Sequence, residues 1–210
     1  MDEQPLVSVI MNCFNGEEYL SEAIKSVLLQ TYKNWELIFW DNQSTDNSKK
    51  IVHSFLDDRI KYFYAPTFTK LYAARNKAIE NANGKFIAFL DADDIWHPLK
   101  ISKQIEFMIK NNFSITHTSY NIINEENKKV GIRPAKNLKF SDLLKSCDIG
   151  LSTVILEKKL LHNLCFSNLK TKEDYVLWLQ LTKKGYEFKA FDEFLTDWRL
   201  TKNSLSSSAI

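Results

Sequence analysis

Apolar runs alternate with amphipathic segments between residues 6 and 90, and this alternation limits the possible folds more than any other feature of the sequence. The apolar runs have the length of strands and lie at 6–11, 35–40, 60–64 and 86–90. Apolar side chains at helical spacing predict helices at 19–29, from the turn at 44–46 to about residue 55, and at 71–81. Apolar strands that alternate with helices form a mostly parallel sheet covered on both faces. The sequence therefore predicts an α/β fold in which a Rossmann-like, mostly parallel sheet is flanked by helices.

The pattern is weaker in the second half of the chain. Helices are predicted at 99–110, near 157–162 and at 174–184, and strands at 115–120 and near Val154. The polar segment 121–139 contains Gly131 and Pro134 and is typical of a hairpin or a mobile loop. No repeat or linker divides the chain, and 210 residues, 44% of them hydrophobic, suffice for one core. A single domain is predicted, with a Ser-rich, frayed tail at 205–210.

Charge and composition exclude some classes of partner. The net charge is +2, and arginines do not interleave with aromatics, so no nucleic-acid surface is indicated. Acidic residues outnumber basic ones in residues 1–99, and the reverse holds from 100 to 210. The acidic half suits a metal and the basic half an anionic partner. A merely solvated basic face is the alternative, built from Lys128, Lys129, Arg133, Lys136 and Lys139.

The cysteines and the N-terminus bear on location. Cys13, Cys147 and Cys165 have no Cys-x-x-Cys spacing, which argues against a disulfide framework or a zinc knuckle and fits a reducing compartment. The first residues are acidic, unlike a signal peptide, and no apolar run approaches the ~20 residues that span a bilayer. We expect a cytoplasmic protein with at most peripheral contact to the inner face of the cell membrane.

Three carboxylates follow the apolar run at 86–90, in the sequence Asp91-Ala92-Asp93-Asp94. Carboxylates this close repel one another unless a cation, a donor or a helix N-terminus offsets their charge. Mg²⁺ or Mn²⁺ would accept such hard oxygen ligands. The alternative is that Asp94 caps the helix entered through residues 97–98, while Asp91 and Asp93 are solvated loop acids.

The predicted strand ends point to a nucleotide. Ligands of open α/β sheets bind where the carboxyl ends of the strands meet, and three of these ends are Asn12, Asp41 and Asp91. The chain has neither Gly-x-Gly-x-x-Gly nor a phosphate-binding Gly-x-x-x-x-Gly-Lys-Ser/Thr, which disfavours dinucleotide oxidoreductases and P-loop NTPases. A diphosphate could still be held through a metal at the carboxylates.

Five stretches together resemble family 2 glycosyltransferases with the GT-A fold. They are the strand and turn at 5–15, the acidic turn at 41–46, the Ala-Arg-Asn-Lys stretch at 74–77, the Asp-x-Asp strand at 89–94 and the Glu-Asp helix at 172–179. Their order and spacing agree with the family from about residue 5 to 204. The resemblance implies a donor-binding half at about 5–120 and an acceptor-binding half at about 121–204.

The resemblance also implies roles for the donor-site residues. Asn12, Asp41 and Arg75 would surround the nucleotide base, Asp91 would contact the ribose, and Asp93 would bind Mn²⁺ or Mg²⁺. The chemistry agrees, because a carboxylate accepts from a pyrimidine N–H and a guanidinium donates to carbonyl oxygens. The alternatives are that Asp41 is a turn acid and Arg75 a solvated helix residue.

Asp174 falls where the family has its general base. An inverting transfer needs a carboxylate to take the proton of the attacking acceptor hydroxyl. Glu173, its neighbour, is a possible diphosphate or acceptor contact. The alternative is that both acids only complement the dipole at the start of a helix.

The chain departs from the family in the segment at 198–204. Family members often carry a His there that approaches the metal or diphosphate, and this chain has Thr201. Arg199 and Lys202 remain possible cationic contacts to phosphate or acceptor.

The resulting hypothesis is an inverting glycosyltransferase that moves a sugar from a nucleotide diphosphate, UDP by expectation, to a hydroxyl of a glycan or lipid-linked glycan in polysaccharide synthesis. Two alternatives remain open. One is a noncatalytic nucleotide-sugar-binding or scaffold protein. The other is a sugar nucleotidyltransferase, which would require a Gly-rich loop after the first strand, where this chain has only Gly16.

Overall fold

Nine strands form one continuous sheet within residues 4–202, the part of the chain that the computed structural model describes. The strands are β1 (Val7–Cys13), β2 (Trp35–Asp41), β3 (Ile60–Tyr64), β4 (Phe86–Phe89), β5 (Ile95–Trp96), β6 (Ile115–Ile123), β7 (Lys129–Arg133), β8 (Ile155–Glu157) and β9 (Lys189–Arg199). The helices are α1 (Leu20–Leu28), α2 (Ser48–His53), α3 (Leu71–Glu80), α4 (Lys100–Asn111), α5 (Phe140–Leu143) and α6 (Glu173–Lys183), with short 3-10 helices at Leu151–Thr153 and Lys158–Leu161. The strand order is β3-β2-β1-β4-β8-β6-β9-β5, and β7 pairs with β6 outside this path.

The first half of the chain builds the parallel part of the sheet. β1 pairs in parallel with β2 and β4, and β2 pairs in parallel with β3. The strands and helices predicted between residues 6 and 90 are confirmed within a few residues at each end. All the carboxyl ends of these strands therefore lie at one edge.

The second half extends the same sheet through antiparallel pairs. β8 pairs antiparallel with both β4 and β6, and β7 forms an antiparallel hairpin with β6. β9 lies parallel to β6 and antiparallel to the short β5. The whole sheet is mixed, and its parallel core is the Rossmann-like part.

Helices cover both faces because the central strands are apolar on both sides. On one face, Val9 and Met11 of β1 pack with α1 and α4. On the other face, Ile10 packs with α3 and α6. This burial explains why the strands read as continuous apolar runs rather than alternating ones. Of the helices within residues 4–202, none has both the length and the apolar character needed to cross a membrane.

Several features of the second half differ from expectation. β9 was not predicted, because its polar residues break the alternation and its pairing with β6 is interrupted by bulges at Thr118–Ser119 and Ser119–Tyr120. The strand expected at 115–120 runs on to Ile123 and turns into β7, so the hairpin interpretation of the polar segment is correct. The segment near 157–162 is a 3-10 helix. The predicted tail at 205–210 lies outside the described residues.

Candidate active site

The carboxyl ends of three parallel strands bring the predicted donor-site residues to one edge of the sheet. β1 lies between β2 and β4. Asn12 and Asp41 stand at the ends of β1 and β2, and Asp91 follows β4 closely. The structure therefore places these three residues at the edge where open α/β sheets bind ligands.

Asp41 is buried, and both of its carboxylate oxygens are engaged. Oδ1 accepts from the backbone N–H of Ser44 at 2.7 Å, and Oδ2 accepts from the Tyr62 hydroxyl at 2.7 Å. Burial and the bond to Asp41 raise the pKa of Tyr62, so this hydroxyl remains a donor. The turn-acid interpretation thus explains one of the two oxygens, and contact with a nucleotide base stays a prediction.

Asn12 has an open hydrogen-bond donor. Its Nδ2 is buried and has no hydrogen-bond partner within residues 4–202. Buried amide donors are normally paired, so an unpaired one at a ligand-binding edge indicates a missing acceptor. Two aromatic rings stand exposed on loops of this edge: Phe14 is 51% and Phe68 60% exposed, with ring centroids 4.9 Å apart.

Arg75 connects the strand-end aspartate to the acidic helix. Its Nη2 donates to Asp91 Oδ1 at 2.9 Å, and its Nη1 donates to Glu173 Oε1. The residue is only 6% exposed, so the solvated-helix interpretation of Arg75 is wrong. Burial lowers the pKa of the guanidinium, but the charges of Asp91 and Glu173 outweigh this and raise it. Its predicted place near the base remains a prediction, while its observed partners are the two acids.

Glu173 and Asp174 occupy the first turn of α6, as the dipole interpretation requires. Both carboxylates also lie close enough to Arg75 for its charge to act on them. Burial raises the pKa of Glu173 and of Asp174, and the charge of Arg75 lowers each in part. Asp174 Oδ1 accepts from the backbone N–H of Tyr175 at 2.8 Å. A carboxylate with a raised pKa close to a ligand edge suits a general base.

Asp94 is a buried anchor and does not cap the following helix, so the capping interpretation is wrong. Its Oδ2 accepts from Ser152 Oγ at 2.5 Å, and its Oδ1 accepts from the backbone N–H of Arg199 at 2.9 Å. Ser152 Oγ also accepts from the backbone N–H of Asp91 at 3.0 Å. One hydroxyl therefore ties both ends of the carboxylate turn to the 3-10 helix Leu151–Thr153.

Asp93 is the carboxylate of this turn that suits a metal. Burial, followed by the charge of Asp91, raises the pKa of Asp93 to about 6. The nearby cations pair elsewhere, Arg75 with Asp91 and Arg199 with Glu22. Within the described part of the chain no group of three His, Cys, Asp or Glu side chains could hold a metal alone. One or two carboxylates completed by phosphate and water are nevertheless the usual Mg²⁺ and Mn²⁺ donor set, so these residues fit such an ion.

The two cations predicted near the diphosphate lie in different environments. Arg199 is 1% exposed, and its guanidinium donates to protein groups around the turn. Lys202 has a side chain that is 88% exposed, with its Nζ 3.8 Å from Glu125. Lys202 therefore stays available for an anion. Arg199 instead packs under the carboxylate turn.

Three further groups at this edge were not predicted from the sequence. Ser152 lies in a stretch with no motif, and only its contacts with Asp91 and Asp94 reveal it. Glu22 lies in the first turn of α1 and pairs with Arg199 at 2.8 Å, a contact that the local sequence does not show. Phe14 carries the one available signal, a large apolar residue directly after a strand and before the polar Asn15.

Comparison with known proteins matches this geometry to one family. The family model for glycosyl transferase family 2 matches residues 8–162. The chain is 43% identical over 206 residues, which are 97% of this chain and 80% of the relative, to the Escherichia coli UDP-Glc:alpha-D-GlcNAc-diphosphoundecaprenol beta-1,3-glucosyltransferase WfgD.

Solved structures confirm the predicted GT-A type of fold. S. aureus TarS 1-349 in complex with UDP-GlcNAc superposes with a TM-score of 0.81 at 20% identity, covering 97% of this chain and 61% of that one. Mannosyltransferase PcManGT from Pyrobaculum calidifontis, in complex with GDP-Man and Mn²⁺, gives a TM-score of 0.76 at 15% identity, covering 99% and 60%. The chain thus spans about three-fifths of the length of these solved structures.

Proposed function

This chain belongs to glycosyl transferase family 2 and is a glycosyltransferase, and from that premise we propose that it transfers a sugar from a UDP-linked donor to a hydroxyl of a lipid-diphosphate-linked glycan, with inversion at the anomeric carbon. The E. coli relative is named for a UDP-glucose donor and a GlcNAc-diphospholipid acceptor. A related reaction here would serve the assembly of a cell-surface polysaccharide.

The observation that carries the proposal is the bridge that Arg75 makes between Asp91 and Glu173. The bridge holds the start of α6, and with it Asp174, against the strand ends that form the donor edge. A transferase needs this arrangement, because the acceptor hydroxyl must meet the donor sugar next to a proton acceptor. A protein that only binds a nucleotide sugar has no need of it.

The donor would lie along the edge formed by the ends of β1, β2 and β4. The unpaired Nδ2 of Asn12 would donate to a base carbonyl, and Asp41 would face the ring N–H. Asp91 would accept from the ribose while Arg75 neutralises its charge. Asp93, with water and phosphate oxygens, would hold Mg²⁺ or Mn²⁺, which would neutralise the departing diphosphate.

Asp174 would act as the general base. Its raised pKa brings it closer to the acidity of an acceptor hydroxyl in the transition state, which favours proton transfer. Glu173 holds Arg75 and so fixes the orientation of the helix start. Deprotonating the acceptor as it attacks the face opposite the diphosphate would invert the anomeric carbon.

The acceptor would approach from the half at about 121–204, where the hairpin β6–β7 and the exposed Lys202 present basic groups. A lipid-linked acceptor would bring the protein to the cytoplasmic face of a membrane as a peripheral partner. No nucleic acid is needed for this reaction.

Calorimetric titration with UDP, UDP-glucose and UDP-GlcNAc, with and without Mn²⁺, tests the donor site. We expect Mn²⁺-dependent binding that Asp93→Ala removes. Transfer to a GlcNAc-diphospholipid, with the anomeric configuration of the product read by NMR, then tests the reaction. Donor binding without transfer to any lipid-linked acceptor would favour the noncatalytic alternative, and a retained anomeric configuration would overturn the inverting mechanism.

A further inference from the structure

We propose that Arg199 is a positioning residue for the divalent cation: it holds the backbone of the turn that carries Asp93 and ties this turn to the end of the β6–β7 hairpin. The inference rests on the proposed metal-assisted transfer. Arg199 itself would not touch the metal, the diphosphate or the sugar.

The guanidinium of Arg199 reaches three separate parts of the chain. Nε donates to the backbone carbonyl of Asp93 at 2.8 Å. Nη1 donates to Asn127 Oδ1 at 2.6 Å, in the turn between β6 and β7, and Nη2 donates to Glu22 Oε2 on α1 at 2.8 Å. The cation also lies 4.3 Å from the ring centroid of Tyr19. A single buried side chain thus fixes the Asp93 turn against two neighbouring elements.

The backbone of the same residue holds the other side of the turn. The N–H of Arg199 donates to Asp94 Oδ1, whose partner oxygen accepts from Ser152. The turn is therefore held at the Asp93 carbonyl from one side and at the Asp94 carboxylate from the other. The Asp93 carboxylate itself pairs with neither nearby cation, which leaves it to accept a metal.

This arrangement separates the support of the ligand from the ligand itself. A carboxylate that must bind a metal with a defined geometry gains affinity when its backbone is fixed beforehand. A cation placed directly on Asp93 would compete with the metal. Arg199 limits this competition, because its Nε binds the backbone carbonyl of Asp93 and its Nη2 pairs with the carboxylate of Glu22.

Lysine cannot reproduce these contacts. The planar guanidinium donates in several fixed directions at once, whereas an ammonium is a compact point charge on a flexible stem. Because Arg199 is fully buried, removing it also leaves the Asp93 carbonyl and Asn127 without their donor. We therefore expect Arg199→Lys to behave more like Arg199→Met than like the wild type.

A substitution in the turn between β6 and β7 tests the same contact without changing a buried residue. Asn127 has a φ of 61°, a left-handed conformation that glycine adopts freely. Asn127→Gly therefore keeps the turn but removes the shortest of the contacts that Nη1 makes there, and leaves the carbonyls of Asn124 at 3.3 Å and Glu125 at 3.5 Å. Lys110→Met is the matched control, since Lys110 is an exposed lysine in the last turn of α4.

The test measures Mn²⁺ affinity by electron paramagnetic resonance in the presence of UDP and without acceptor, at a temperature well below each variant's melting temperature. We expect Arg199→Lys and Arg199→Met to weaken Mn²⁺ binding at least tenfold, Asn127→Gly to weaken it about threefold or more, and Lys110→Met to leave it within twofold. A purely structural role would lower the melting temperature while leaving the Mn²⁺ affinity of the folded protein unchanged.

The outcomes distinguish a failure of the Arg199 role from a failure of the proposed function. Folded Arg199→Lys and Asn127→Gly proteins with wild-type Mn²⁺ affinity would overturn the positioning role and leave the proposed function standing. If the Arg199 variants do not fold, Asn127→Gly alone decides. A wild-type protein that binds UDP without any effect of Mn²⁺ would overturn the metal's part in the proposed function, and this inference with it.

Discussion

Arg75 and Glu173 are 98 positions apart in the chain, yet they form a buried ion pair whose guanidinium also binds Asp91. One cation thus joins the strand-end aspartate to the start of the acidic helix. The two halves of the site cannot be perturbed independently, because loosening Arg75 releases acids on both sides of it.

Arg75→Met should destabilise the protein by about 3–5 kcal/mol, because it leaves the Glu173 carboxylate buried without a charge partner. Urea unfolding measures the change. Arg75→Met combined with Glu173→Gln should recover part of the loss, since a neutral amide is cheaper to bury. A double variant no more stable than Arg75→Met would show that the pair is not the source of the effect.

Asp174→Asn should reduce sugar transfer by about 10²- to 10⁴-fold while UDP binding stays nearly unchanged, because an amide cannot take the acceptor proton. Initial rates and calorimetric titration separate the two effects. Asp58→Asn is the matched control, since Asp58 is an exposed acid in the loop before β3 and should keep full activity. Full activity of Asp174→Asn would remove the assignment of the base.

Asn12→Ala should weaken UDP binding about tenfold, or ~1.4 kcal/mol, with little change in the free energy of unfolding. The reason is that Nδ2 of Asn12 has no hydrogen-bond partner within residues 4–202. Asn42→Ala should show the opposite balance, because Asn42 Nδ2 donates to the Thr69 carbonyl at 2.7 Å and Oδ1 accepts from the Thr69 N–H at 3.2 Å. Equal loss of UDP affinity in both variants would contradict a specific contact at Asn12.

Folding stability should fall as the pH drops from about 6.5 towards 4 because of His117. Burial lowers the pKa of this imidazole to about 4, although its hydrogen bond with the Lys136 carbonyl at 2.8 Å partly opposes the shift. In the unfolded chain the His117 imidazole is protonated below about pH 6.5, whereas in the folded protein it stays neutral down to about pH 4. The contribution of neutral His117 to the free energy of unfolding is therefore fully present above pH 6.5 and decreases below it, by up to about 3 kcal/mol.

Urea unfolding at pH 7.5, 6.0 and 5.0, with His117→Gln as the comparison, tests this titration. Glutamine can still donate to the Lys136 carbonyl but does not titrate. The variant should therefore lose less stability than the wild type over this interval. Identical pH dependence in the two proteins would assign the effect to other groups.

Local pattern was enough to predict the parallel half of the fold. The strands around Val9 and Leu37 are buried on both faces, so each is an uninterrupted apolar run that needs no knowledge of its partners. β9 escaped prediction for the opposite reason. Its polar residues are accommodated by bulges and by pairing with β6, and neither feature is visible within residues 189–199 themselves.

In the candidate site, too, local features could be predicted from the sequence and long-range contacts could not. The order of the motifs placed Asn12, Asp41 and Asp91 at one edge, because strand ends in a parallel sheet share an edge. The partners of Asp94 could not be predicted, since Ser152 and Arg199 lie 58 and 105 positions away. The local sequence suggested a helix cap as one role for Asp94, whereas the structure shows long-range hydrogen bonds to Ser152 and Arg199.

The place of β9 in the sheet has a consequence for the order in which the enzyme is made. β9 lies between β6 and β5, and its last residue is the arginine beneath the carboxylate turn. During synthesis the parallel strands emerge first, but the edge strand β5 has no neighbour until residues 189–199 have left the ribosome. A nascent chain that already carries Asp41, Asp91 and Asp93 therefore still lacks the contacts that Arg199 makes with the Asp93 turn, and we expect activity to begin only after β9 has inserted.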